Sequence, residues 1–161
     1  MIIVADTSPL ISLSVINRID LLEKMYTEFF ICEAVWFETE KYLSNQNAFE
    51  HLHFFKAHVK GVSDKSLIPV FDKLDRGEAE SIALLRELHA NALLIDDMIG
   101  RAYAERQNIE CFGVLRLLIE AKKLNLIVNL RPYFESFLFH RRFYSKHLLN
   151  IVLAEVHEPL L

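Results

Sequence analysis

The chain has 161 residues, which fits one domain with a substantial core, and its 52% apolar share with 12 phenylalanines excludes intrinsic disorder. Four glycines and four prolines leave no flexible linker or low-complexity segment, and two isolated cysteines exclude a disulfide framework or a zinc site. The net charge of −4 speaks against a nucleic-acid partner only in sum: residues 101–150 carry nine Lys/Arg against four Asp/Glu, and residues 1–100 nine against sixteen.

The chain opens on Ile2–Ala5, a short apolar run rich in β-branched residues, as in a buried parallel strand. Asp6-Thr7-Ser8-Pro9 combines capping side chains with a proline suited to a first turn, so a helix is expected from near Leu10. A further helical stretch follows at Ile19–Met25, a second strand at Phe29–Cys32, and a helix from Glu33 to about Leu43. Ala48–Val59 places Phe49, Leu52, Phe55 and Val59 on one helical face, and Leu67–Phe71 reads as a short strand or extended segment. Glu78–His89 is expected to be helical, Ala92–Ile95 a third strand, Met98–Arg106 a helix and Ile109–Phe112 a fourth strand. Val114–Leu124, Arg131–His140 and Ser145–Val156 read as closing helices.

Alternating strands and helices predict an α/β fold in which a parallel sheet is covered on both faces. Cys32 and Cys111 follow short apolar runs and are expected to be buried, reduced thiols. No apolar run approaches the ~18 residues of a membrane span, and no signal-peptide pattern precedes the first strand. A soluble, cytoplasmic protein with no membrane partner is therefore expected.

In parallel sheets, ligands bind beyond the carboxyl ends of the strands, so the polar residues there decide the function. Asp6 follows the first strand, and Asp96 and Asp97 the third. Each has an ordinary reading as a helix cap. Carboxylates at two neighbouring strand ends, however, resist joint ionisation unless a cation compensates, and hard oxygen donors suit Mg²⁺ or Mn²⁺. In Gly77-Glu78-Ala79-Glu80, Glu78 shares its helical stripe with Ile82 and Leu85, whereas Glu80 shares one with Leu84 and Glu87. Glu78 is thus expected to point inward as the functional residue, and Glu80 to serve the helix dipole from an exposed face. Glu33 reads as a dipole partner of its helix, while spacing barely separates Glu38 from Glu40.

Taken together, VADTSPL (4–10), AVWFE (34–38), GEAESIALL (77–85) and LLIDDMIGRAYA (93–104) resemble, in order, the acidic motifs of PIN-domain ribonucleases. GVLRLLIEAKKLNLI (113–127) continues the resemblance, which is closest to the VapC-like toxin branch of prokaryotic toxin–antitoxin pairs. It implies one PIN-like domain over 1–161, a three-layer α/β/α arrangement with a mostly parallel sheet of about four or five strands. Asp6 matches the first metal ligand, Glu38 the second acidic residue, Glu78 the third and the Asp96-Asp97 pair the fourth, with spacing favouring Asp97. Ser8 matches a hydroxyl residue that orients metal or water, and Arg101 lies where it meets a phosphate. The implied activity is Mg²⁺- or Mn²⁺-dependent endoribonuclease cleavage, with a small antitoxin partner and a homodimer. Arg116, Lys122, Lys123, Arg141 and Arg142 are candidates for tracking the RNA backbone.

Two departures from the family pattern stand out: Cys32 occupies a usual proline position, and Asn125 replaces a frequent helix-ending glycine. A haloacid-dehalogenase-like phosphatase would need an Asp where Ser8 stands, and a receiver domain would place its acidic pair after the first strand. The other reading is a catalytically weak or inactive PIN-fold protein that acts as a binding module through its aromatic segment around Tyr133–Tyr144.

Overall fold

The computed structural model describes residues 1–161. Four strands, β1 (Ile2–Ala5), β2 (Glu28–Phe30), β3 (Ala92–Leu94) and β4 (Cys111–Phe112), form one sheet in the order β2-β1-β3-β4. Every pairing is parallel, with Ile3 opposite Phe29 on one side and Ala92 on the other. The strands are short because they are buried on both faces: Ile3, Val4 and Ala5, like Ala92, Leu93 and Leu94, are wholly inaccessible.

The helices are α1 (Thr7–Val15), α2 (Asp20–Met25), α3 (Glu33–Asn45), α4 (Phe49–Lys56), α5 (Arg76–Glu87), α6 (Met98–Arg106), α7 (Val114–Lys123), α8 (Arg131–Phe139) and α9 (Lys146–Glu155). They cover the sheet to give the three-layer architecture expected. No helix is long and apolar enough to cross a membrane. Cys32 and Cys111 are free and buried, as expected.

Differences from expectation are local. Helix α1 begins at Thr7 rather than near Leu10, which leaves Pro9 inside the first turn, where its missing N–H costs nothing. Strand β2 ends at Phe30 because Ile31 turns to the 58–60 segment, donating to the His58 carbonyl and accepting from the Lys60 amide. Leu67–Phe71 is not a strand: Asp64 caps a single 3₁₀ turn at Lys65–Leu67, and the chain runs on irregularly past Pro69. Helix α5 starts two residues early because Asp75 and Glu78 form a reciprocal capping box.

All seven residues with left-handed backbone follow helices, and none is glycine: Asn17, Asn47, His89, Asn108, Asn125, Arg141 and His157. Asn125 takes this role after α7, with its amide bonded to the Lys122 carbonyl and that of Leu126 to the Ala121 carbonyl. Non-glycine side chains carry a steric cost in this conformation, smallest for asparagine. His89 is exposed, and its side chain makes no hydrogen bond. His89→Gly is therefore expected to raise stability by about 1 kcal/mol, read as a higher Tm; an unchanged or lower Tm would show that the His89 side chain supports the turn.

Candidate active site

The sheet order reverses direction at β1, whose neighbours β2 and β3 carry the chain to opposite sides, and the crevice beyond this point is where α/β sheets hold ligands. Strands β1 and β3 end side by side there, with the Asp6 amide donating to the Leu94 carbonyl at 2.9 Å. The register delivers Asp6 from one strand and Asp96-Asp97 from the other to the same end of the molecule.

The three aspartates do different things. Asp97 is the N-cap of α6, one oxygen accepting from the Ile99 and Gly100 amides at 2.8 and 2.9 Å. Asp96 has both oxygens engaged: Oδ1 accepts from the Val114 amide at the start of α7, and Oδ2 from the Tyr144 hydroxyl at 2.6 Å. A side chain at Gly113 would come within 2.5 Å of that Oδ1, so the glycine makes room for the bond. Asp6 stands at the N-cap position of α1, yet its side chain caps nothing. It is only 6% exposed and has no side-chain partner, so the cap reading fails for the one aspartate that most needs a partner.

Glu78 reaches the same place from α5. It points inward, 4% exposed, accepting from the Asp75 amide at 3.0 Å and lying near Asp97. A Cβ at Gly100 would lie 2.6 Å from its Oε1, so the opening turn of α6 packs directly on this carboxylate. Glu38, exposed on α3, accepts from the Thr7 hydroxyl at 2.8 Å and lies against Gly77, while Glu40 faces solvent without a partner. The tertiary contacts thus separate the two glutamates that spacing could not.

Glu80 departs from expectation. It is 5% exposed, paired with Arg76 at 2.7 Å and accepting from the Ala34 amide, so it ties α5 to the first turn of α3 from inside. Its stripe is covered by α3, which the helix's own pattern does not reveal. Three contributors escaped the sequence reading. Asp75 had a legible signal, the Asp-x-x-Glu capping box; Thr7 and Tyr144 had none, because their partners lie 31 and 48 residues away.

The electrostatics follow from burial. Asp6 is pushed up to about 8, chiefly by desolvation, with Asp75, Glu78 and Glu38 adding repulsion against a partial offset from the Thr7 amide. Glu78 is pushed up to about 7, again mainly by burial, with Asp75 and Asp97 contributing. Burial also raises Asp96, opposed by its bonds from Tyr144 and Val114 and by the charges of Arg142 and Arg101. None of Asp6, Glu38, Asp75, Glu78, Asp96 and Asp97 has a basic partner in an ion pair. These carboxylates gather at one end of the sheet without closing on a common point, since no three stand close enough to enclose an ion.

The expected basic residues divide. Arg116, Lys122 and Lys123 pair with Glu110, Glu158 and Glu120, and Arg101 with Glu105, whereas Arg141 is exposed and unpaired. Ser8, half-buried, accepts from Arg142 through both its carbonyl and its hydroxyl, at 3.1 Å each.

Comparison with known proteins places this arrangement in context. A family model described as "DUF3368: PIN domain" matches residues 2–158. Among solved structures, a PilT N-terminus domain protein, SSO1118, from the hyperthermophilic archaeon Sulfolobus solfataricus P2 is similar in fold, with a TM-score of 0.52 at 19% identity over 75% of this chain and 93% of that one. No curated protein matches the sequence.

Two outcomes test the site's physics. The raised values mean that the folded chain binds more protons than the unfolded chain between about 4 and about 8, so stability without divalent metal falls as pH rises through that window. Asp6→Asn is expected to flatten the profile and to stabilise the metal-free protein by a few kcal/mol at the alkaline end; denaturant melts across pH check both. Gly100→Ala would gain up to about 1 kcal/mol from helix propensity alone. Its Cβ, however, would stand 2.6 Å from Glu78 and 2.8 Å from Ile95, and the expected net result is a loss of roughly 1–2 kcal/mol. A more stable Gly100→Ala variant would mean that Glu78 swings away freely.

Proposed function

The chain belongs to the PIN-domain family, a nuclease-type fold, and from that premise we propose that it is a metal-dependent ribonuclease working through the acidic crevice at the ends of β1 and β3. The observation that carries this reading is Asp6, a buried carboxylate with neither cap nor ion pair, near Glu78, which in turn lies near Asp97. Burying such a charge without compensation costs several kcal/mol, and a cation bound by these groups would offset it.

The donor set fits Mg²⁺ or Mn²⁺, since it offers only hard carboxylate oxygens. Asp6, Glu78 and Asp97 would hold the ion on drawing together from positions in which no three enclose one, with Glu38 at the rim, while Asp96, both oxygens engaged, would serve as a support rather than a ligand. When bound, such an ion supplies charge neutralisation on the phosphodiester and a water acidic enough to attack it.

The chain's own residues set the stage for that chemistry. Asp97 is held in orientation by two helix amides, Glu38 by Thr7, and Glu78 by the Asp75 amide, so each carboxylate starts from a defined orientation. Burial of Asp6 and Glu78 keeps water from screening them. No side-chain nucleophile is needed.

The finer assignment rests on the sequence motifs, which resemble the VapC-like toxin branch. It makes this protein the toxin of a type II toxin–antitoxin pair in the cytoplasm, a homodimer held in check by a small antitoxin. A second reading, a PIN-fold binding module, is favoured by Phe139 and Phe143, both more than 80% exposed. Incubating purified protein with RNA separates the two. Cleavage that requires Mg²⁺ or Mn²⁺, disappears with chelator and is lost in Asp6→Asn and Asp97→Asn is the expected result. Equal cleavage by wild type and both variants would assign the activity to a contaminant and end the ribonuclease reading.

A further inference from the structure

Helix α8 ends in a turn that redirects the chain. Arg141 adopts left-handed backbone, and the amides of Arg141 and Arg142 bond back to the Leu138 and Phe137 carbonyls, reversing the path of the residues that follow. The reversed segment returns to the strand ends, although it lies more than 130 residues from β1 in the chain. Tyr144 there donates to Asp96 and shares a 3.1 Å hydrogen bond with the Ser12 hydroxyl. The Arg142 guanidinium donates from Nε to the Ser12 hydroxyl and from Nη2 to the Ser8 carbonyl and hydroxyl, each at 3.1 Å.

This leaves an arginine in an unusual situation. Arg142 is half-buried and fixed by three hydrogen bonds to neutral oxygens, yet it forms no ion pair, and its Nη1 makes no hydrogen bond. The other cation near the crevice, Arg101, is spent on Glu105 at 2.7 Å. A polyanion approaching a crevice bordered by carboxylates needs a fixed positive group to offset their repulsion. A guanidinium with one edge anchored and another donor free is suited to a phosphate oxygen.

We propose that Arg142 contacts a backbone phosphate of the nucleic-acid substrate, and that Tyr144 is a positioning residue that locks the returning segment onto Asp96. The proposal rests on the reading of the crevice as a ribonuclease site and adds to it the group that seats the substrate. Tyr144 acts through Asp96 and the shared Ser12 hydroxyl, which is also an acceptor of Arg142, so its loss loosens the arginine without removing charge.

The test measures binding apart from cleavage. A short fluorescein-labelled single-stranded RNA is titrated with protein in chelator over a range of salt, for wild type, Arg142→Gln, Arg142→Lys and Tyr144→Phe, with melting curves to show that each variant folds. Arg142→Gln is expected to weaken binding about tenfold, as for one lost charge-assisted contact. Its salt slope should fall by about 0.7, one phosphate fewer on a single strand. Arg142→Lys should keep the slope and recover part of the affinity, and Tyr144→Phe should keep the slope with a smaller loss.

Equal affinity and slope for wild type and Arg142→Gln, or no RNA binding by wild type, overturns the proposal. Loss of cleavage in Asp6→Asn alongside equal slopes leaves the ribonuclease reading standing and removes Arg142 from it. Unchanged cleavage in Asp6→Asn with a reduced slope in Arg142→Gln does the reverse.

Discussion

Asp6 lies where two parallel strands end together, only 6% exposed, and no basic side chain pairs with it. Its amide completes the β1–β3 ladder while its carboxylate is held among Glu38, Asp75 and Glu78. Burial favours the protonated form of the group and pushes its titration up to about 8. Glu38, Asp75 and Glu78 are the carboxylates whose repulsion adds to that effect.

The surrounding acids are each held by a backbone amide or a hydroxyl rather than by a basic side chain. Helix starts supply most of the donors: α5 through the Asp75–Glu78 box, α6 through Asp97 and α7 through Asp96. Helix amides orient a carboxylate without cancelling its charge, as an Arg or Lys partner would. Glycines at 100 and 113 complete the arrangement by letting the backbone of α6 and the start of α7 come up against Glu78 and Asp96. Acidity and local order therefore coexist at the ends of β1 and β3.

The C-terminal segment adds what the sheet cannot provide. The turn at Arg141 brings Arg142 and Tyr144 back across the ends of β1 and β3, joining the last helices to the first. Behind it, Glu158 accepts from the Leu130 and Arg131 amides and pairs with Lys122, which fixes the start of α8 and hence the position from which the turn departs. Phe134 and Phe137 are buried beneath this path, whereas Phe139 and Phe143 remain outside, so the aromatic run divides between packing and surface.

Much of this protein is legible in one dimension because it depends on local periodicity and chain order. Short apolar runs alternating with amphipathic segments determined a parallel, doubly covered sheet, and the carboxylates following the runs made one end of it the candidate site. The inward direction of Glu78 also follows from helical spacing, and the left-handed cap at Asn125 from an asparagine standing in the place of a helix-ending glycine. Contacts between distant segments are what spacing does not encode. Glu80 is buried because α3 covers it, Glu38 rather than Glu40 meets Thr7, Asp96 rather than Asp97 is engaged by a tyrosine 48 residues on, and Leu67–Phe71 never joins the sheet. Sequence determines which residues can share a face; only the packing of one element on another decides which of those faces meet.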